Sequence, residues 1–197
     1  MLEQRIQQQF FDSADLQYQT AESLARPIAD AAQALTGCIT AGGKLLVAGV
    51  AGGAALAQHF CAAFVGRFER ERPGLAAIAL AADAVLLGTL AAQRGPEQAW
   101  AQQIHALGQS GDVLLLIDPL GQDAVPKAAI EAAHARDMSV VLLGGRHAPA
   151  LRELLGETDV LVAVPHDRAA RVVELQLLVL HCWCDAVDLQ LMGEQDP

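Results

Sequence analysis

Residues 44–68, KLLVAGVAGGAALAQHFCAAFVGRF, constrain the fold more than any other stretch. The apolar run 45–47 predicts a buried strand. Gly49, Gly52 and Gly53 permit a tight turn, and from Ala54 onward the composition and apolar periodicity are helical. A strand that turns through glycines into a helix N-terminus aims backbone N–H groups and a positive dipole end at one point, where an anion is the usual occupant.

The rest of the chain repeats this alternation. Apolar runs at 76–80, 113–117, 139–143 and 160–164 predict four more strands. Between them lie helices: one capped by Asp83 to about 92, then 96–107, 123–136, a short one at 149–155, and a long closing helix over 167–191. Two helices are expected ahead of the first strand, at 2–24 and from Pro27 to 40, since proline is tolerated in a first helical turn. The strands are continuously apolar, so the fold class is α/β, a parallel sheet of five strands covered by helices on both faces. At 197 residues this is one domain, 1–197, with an α/β core over 44–191. Ligands of such sheets bind beyond the strand C-termini, which places the 49–53 and 118–123 turns on one cleft.

Charge and composition exclude several function classes. A net charge of −10 argues against direct nucleic-acid binding, which relies on Lys and Arg to displace counterions. The N-terminal MLEQRIQQQF lacks the apolar core of an export signal, and the most apolar segment, 175–184, is too short to span a bilayer. A cytoplasmic protein with no membrane association is expected. The four cysteines, Cys38, Cys61, Cys182 and Cys184, form no zinc knuckle, and Cys182-Trp183-Cys184 reads as core thiols rather than a redox pair. Trp100 and Trp183 read as core or interface residues, and the mixed-charge run 67–72 as a solvated helix end.

The segments AGGKLLVAGVAGG, AQHFCAAFVGRFERERPGLAAIAL, GQSGDVLLLID, ARDMSVVLLGG and AARVVELQLLVLHC together resemble the sugar isomerase (SIS) domain family over essentially the whole chain. Within it they resemble the branch of phosphoheptose isomerases and DiaA-type initiator-associating proteins. The resemblance implies a three-layer SIS domain with a five-stranded parallel sheet, and a homotetramer assembled through the N-terminal helical pair at 1–41.

The site is where this chain departs from the family pattern. The isomerases' first turn resembles G-N-G-G-S, its serine holding phosphate; here Val50 stands at the asparagine position and Gly53 at the serine. Their second turn resembles S-T-S-G-N-S; here it reads Asp118-Pro119-Leu120-Gly121-Gln122-Asp123. A phosphate dianion needs donors, whereas an ionised Asp only accepts. Like charges about 5 Å apart, at an effective dielectric near 20, repel by about 3 kcal/mol. Gly49, Gly52, Gly53, Asp118, Gly121, Asp123 and Glu174 are therefore expected to line a degenerate cleft that holds a sugar phosphate weakly at best.

The proton shuttle departs in the same way. In phosphoheptose isomerases a glutamate four residues after the QHF-type histidine and a histidine on the last helix act as acid and base. Some members bind zinc with both, adding the earlier histidine and a glutamine on the last helix. His59 and His181 match the histidines, but the glutamate position is Ala63 and the glutamine position Val173. No catalytic residue and no metal are expected; His59 and His181 remain as residual family positions, with hydrogen-bonded histidines their ordinary use. Glu174 lies on the His181 face of its helix and could substitute as a carboxylate, although an ion pair with Arg171 or Arg67 is the commoner arrangement.

The resemblance thus implies a scaffold that binds the bacterial replication initiator DnaA, contacting it through Leu191-Met192 where the family has a Leu-Phe pair; a frayed helix end is the competing use of those two residues. The alternatives are a sedoheptulose-7-phosphate isomerase with altered ligands, which alone would call for zinc, and a sugar-phosphate sensor without turnover.

Overall fold

The computed structural model describes residues 1–121 and 125–194. Its sheet has five parallel strands, β1 (Leu45–Gly49), β2 (Ala77–Ala79), β3 (Val113–Asp118), β4 (Ser139–Gly144) and β5 (Val160–Ala163), in the order β2-β1-β3-β4-β5. Successive side chains of a strand face opposite sides, and each side has its own core. Leu45, Val47, Leu115 and Ile117 pack under α1 (Leu2–Thr40), α2 (Gly53–Val65) and α6 (Ala169–Met192). Leu46, Ala48, Leu114 and Leu116 pack under α4 (Gln98–Leu107) and α5 (Val125–His134). Helix α3 (Ala84–Arg94) starts at Asp83, whose side chain accepts a hydrogen bond from Leu86 N–H as its composition predicts. The segment Ala148–Leu154 is a 3-10 helix. Among the described residues no helix is long and apolar enough to cross a membrane.

The expected N-terminal helical pair is one continuous helix of 39 residues with Pro27 inside it. Proline removes one intrahelical hydrogen bond, yet α1 runs on because α6 packs along it on both sides of that point. Leu16, Leu24, Ala31 and Leu35 are buried there, and the Trp183 indole N–H donates to the Ile28 carbonyl at 3.0 Å. Tertiary packing overrides local propensity here.

The run 67–72 is not uniformly solvated either. Arg67 and Glu71 form an exposed i,i+4 pair, but the Arg72 side chain is 1% exposed and paired with buried Asp188 on α6. Its remaining N–H groups donate to the carbonyls of Ala63, Phe64 and Pro73 at 2.8–3.1 Å, and that of Gly66 at 3.4 Å, closing the C-terminal turn of α2.

The cysteines behave as core thiols except for Cys182, which is exposed on the face of α6 opposite Cys184. Burial pushes the Cys61 and Cys184 thiols up to about 12 and Cys38 to about 11. Burial, and secondarily Asp185, also raises Cys182. A raised pKa leaves less thiolate, the reactive form. Iodoacetamide on the native protein should alkylate Cys182 alone, and slowly; mass spectrometry should show the other three modified only after denaturation.

Candidate functional site

The cleft forms between β1 and β3, where the strand order reverses. Gly49 pairs with Ile117 in register, and Val50 N–H donates to the Ile117 carbonyl at 2.9 Å, so the 49–53 turn lies directly beside the turn that follows β3. Gly49 is forced by close approach: a Cβ there would sit 2.0 Å from the Gly53 carbonyl oxygen. Gly53 is equally constrained, since its Cβ would meet the Ile117 carbonyl oxygen at 2.5 Å. The position at which the resemblance places a phosphate-holding serine is thus closed to any side chain unless backbone moves. Gly52 precedes α2 without a side-chain cap, and a Cβ on it would touch Val173 Cγ2 at 3.6 Å.

Ala51 adopts a left-handed backbone, φ 47°. That region costs an L-residue about 1–2 kcal/mol, and glycine there gives back about 0.5–1 kcal/mol through its freer unfolded chain. Ala51→Gly should therefore stabilise the protein by roughly 0.5–1 kcal/mol in urea unfolding.

Asp118 does not stand in the cleft as an open carboxylate. It is fully buried, and its Oδ1 accepts from Leu120 N–H at 3.2 Å and Gly121 N–H at 2.8 Å, an Asx turn. Gly121 takes φ 67°, and a Cβ on it would meet the backbone of Ala148 at 2.9 Å. Asp123 lies outside the described residues. The expected repulsion between two open carboxylates is therefore not how the Asp118 side of the site works; this carboxylate holds the shape of the turn.

His59 on α2 and His181 on α6 come together, Nε2 to Nε2 at 2.9 Å, with the Phe68 ring 5.3 Å from that of His181. At that distance one ring donates its N–H to the lone pair of the other. A zinc ion would need both lone pairs and further ligands. One helical turn on from His59 stands Ala63, a methyl group, and among the described residues no three His, Cys, Asp or Glu side chains converge as a metal site. Two imidazoles bonded to each other beside a methyl group do not, among the described residues, fit a catalytic metal.

Glu174 is drawn away to the α1–α6 junction. It pairs with Arg171 at 2.7 Å and accepts from Ser13 Oγ at 2.8 Å, while Arg171 also donates to the Gln9 carbonyl at 2.8 Å. Of the two arginines expected as its partner, Arg171 is the one used. Leu191 packs partly against the core, whereas Met192 is 46% exposed at the end of α6.

One component escaped the sequence reading. A cavity of about 380 Å³ opens beside the glycine turn, walled by Val50, Ala51, Ala81, Leu87, Pro96 and Trp100. Among the described residues of its walls the Trp100 indole carries the sole polar side-chain group, and that buried N–H has no acceptor among the described residues. Such a wall offers the many hydroxyls of a sugar a single side-chain donor and no side-chain acceptor. The signal was available in ALAADAVLLGTLAAQ, where the strand end and helix beside the cleft carry almost no hydrogen-bonding side chains.

Comparisons with known proteins agree on the family. A model of the SIS domain matches residues 9–145. A phosphoheptose isomerase of Methylibium petroleiphilum is 57% identical over 196 residues, covering 100% of this chain and 98% of the relative. The DnaA initiator-associating protein DiaA of Yersinia pseudotuberculosis is 44% identical over 196 residues, covering 100% of both. Among solved structures, phosphoheptose isomerase GmhA from Neisseria gonorrhoeae superposes with a TM-score of 0.89 at 37% identity, over 95% of this chain and 99% of that one. A phosphoheptose isomerase from Francisella tularensis gives 0.91 at 36%, over 95% and 98%. With sheet order, glycine turn and histidine pair in place, the chain belongs to the SIS-domain family, in its phosphoheptose isomerase-like branch.

Proposed function

We propose that this protein is a non-catalytic SIS-domain scaffold, a homotetramer that binds the replication initiator DnaA and promotes its assembly at the origin. The observation that carries the reading is the pairing of His59 with His181 at 2.9 Å, with the methyl group of Ala63 where the family has its proton-moving glutamate. A positioned acid or base contributes about 10²–10⁴-fold to such a reaction. The closed Gly53 position and the apolar wall at Trp100 support the same conclusion from the binding side.

Assembly has its own support. Leu2, Ile6, Phe10, Phe11 and Tyr18 are exposed along α1, an apolar surface suited to other copies of the chain. A symmetric tetramer displaying four weak sites can gain roughly 10²–10⁴ in avidity for initiators gathered on one origin. The named DiaA relative supports the partner, and Leu191 and Met192 are the residues proposed to contact it.

The second reading is sedoheptulose-7-phosphate isomerase, favoured by the name of the 57% identical relative; a sugar-phosphate sensor is its form without turnover. The deciding experiment assays the purified protein on sedoheptulose 7-phosphate with and without zinc, alongside capture of the initiator. We expect no turnover above background, and capture that falls at least tenfold in Leu191→Ala/Met192→Ala. Zinc-dependent turnover would establish the isomerase, and ligand-induced thermal stabilisation without turnover the sensor.

A further inference from the structure

A second cavity, of about 280 Å³, opens where α6 ends, away from the glycine turns. Four of the residues lining it are acidic: Glu69, Asp185, Asp188 and Glu194. Phe68 and Leu189, the latter 44% exposed, supply apolar wall, and Arg70 closes one side by donating to the Gly193 carbonyl at 2.8 Å. Three further observations show a pocket suited to a cation.

Asp188 is 2% exposed, and Arg72 satisfies only its Oδ1; its Oδ2 is shielded from water and has no partner among the described residues. Arg72 turns its Nη groups to carbonyls around the end of α2, and none of them bonds Oδ2. A buried carboxylate oxygen left unmatched is costly unless a donor arrives from outside. The second observation is the helix end itself. The last turn of α6 contains no basic residue, so its terminal carbonyls and the negative end of its dipole add to the same field. The third is the Phe68 ring in the wall, which favours a cation with flat apolar faces. Four carboxylates against Arg70 and Arg72 leave the pocket with a charge deficit of two.

We propose that this pocket receives the guanidinium of an arginine presented by a protein partner. Guanidinium fits better than ammonium: its planar fork can meet two carboxylates at once, and it stacks on an aromatic face. Arginine lies against Phe68 and Leu189 and donates toward Asp185 and Glu69 at the rim, with its innermost N–H groups directed to Asp188. The pocket adjoins Met192, so the inference rests on the reading of the α6 end as a docking surface and adds to it the chemistry of what docks.

The test titrates the full-length protein with Nα-acetyl-arginine amide, its lysine analogue and its citrulline analogue, followed by ¹H–¹⁵N NMR. Citrulline keeps the shape of arginine and removes the charge. We expect saturable shifts of the Phe68, Asp185 and Leu189 amides with arginine, several-fold weaker binding of lysine, and at least tenfold weaker binding of citrulline. Glu69→Lys/Asp185→Lys changes two exposed side chains and should abolish the arginine shifts. Equal binding of arginine and citrulline, or arginine binding that survives the double substitution, overturns the pocket. Initiator capture then separates the two ideas. Capture that persists undiminished in Glu69→Lys/Asp185→Lys overturns the arginine docking while the scaffold reading stands. A protein that binds the arginine probe in this pocket yet captures no initiator in any form sinks the scaffold reading, leaving the cation site in place.

Discussion

Arg72→Ala should destabilise the protein by about 3–5 kcal/mol, the range for removing one partner of a buried ion pair. Asp188 would then be an uncompensated charge at 2% exposure, and the carbonyls of Ala63 and Pro73 would lose the Arg72 donor while that of Phe64 keeps only Leu75 N–H. Against a total stability of roughly 5–15 kcal/mol for a domain, that is enough to depopulate the fold near physiological temperature. Arg72→Lys should recover little, since an ammonium cannot span the carboxylate and several carbonyls at once. Arg67→Ala is the control. That side chain is 60% exposed in its pair with Glu71, so its loss should cost less than about 1 kcal/mol. Urea unfolding of the three variants measures the contrast. Equal midpoints for Arg72→Ala and Arg67→Ala would mean that the buried pair contributes nothing beyond a surface one.

That pair also marks the boundary of what was legible in the sequence. The central strands β1, β3 and β4 announced themselves because residues buried on both faces of a parallel sheet must be continuously apolar, and the part-buried edge strands β2 and β5 carry the same apolar composition. Asp83 announced a helix start for an equally local reason. Arg72 did not stand out, because alternating Arg and Glu look the same whether a run is solvated or one member turns inward. The deciding residue, Asp188, is 116 positions away. Pro27 misled in the opposite direction: local propensity ended a helix that Trp183 and the apolar stripe of α1 carry through. At the site, the residue losses at Ala63, Val173 and Gly53 were visible, but their geometry was not. Glu174 bound to Ser13 and the apolar wall at Trp100 depend on contacts between distant segments, and Asp118 turns its carboxylate onto Leu120 and Gly121 in a local Asx turn that Asp-Pro-Leu-Gly permits without dictating.

Restoring the two missing family ligands, Ala63→Glu with Val173→Gln, should convert the histidine pair into a zinc site without restoring isomerisation. His59 and Ala63 are one turn apart on one face of α2, and Val173, eight residues before His181 on α6, lies against the Gly52 end of the same α2–α6 seam. The new side chains would start from the same seam in which the two Nε2 atoms already meet. Two imidazoles without a carboxylate make a poor zinc site, whereas two imidazoles, a carboxylate and an amide oxygen supply four ligands. Competition with a chromogenic chelator should show zinc affinity rising at least about 100-fold, in line with the 10–100-fold that even outer-shell partners contribute. Turnover should stay at background, because the substrate would still meet an apolar wall at Val50 and Trp100 and a 49–53 turn with no hydroxyl. Adding Gly53→Ser should not help. Its Cβ has to displace the Ile117 carbonyl from 2.5 Å, an overpacking that costs about 1–3 kcal/mol. Efficient conversion of sedoheptulose 7-phosphate by the double variant would show that the phosphate cradle survived and that only the proton shuttle was lost, placing this protein one step from an isomerase.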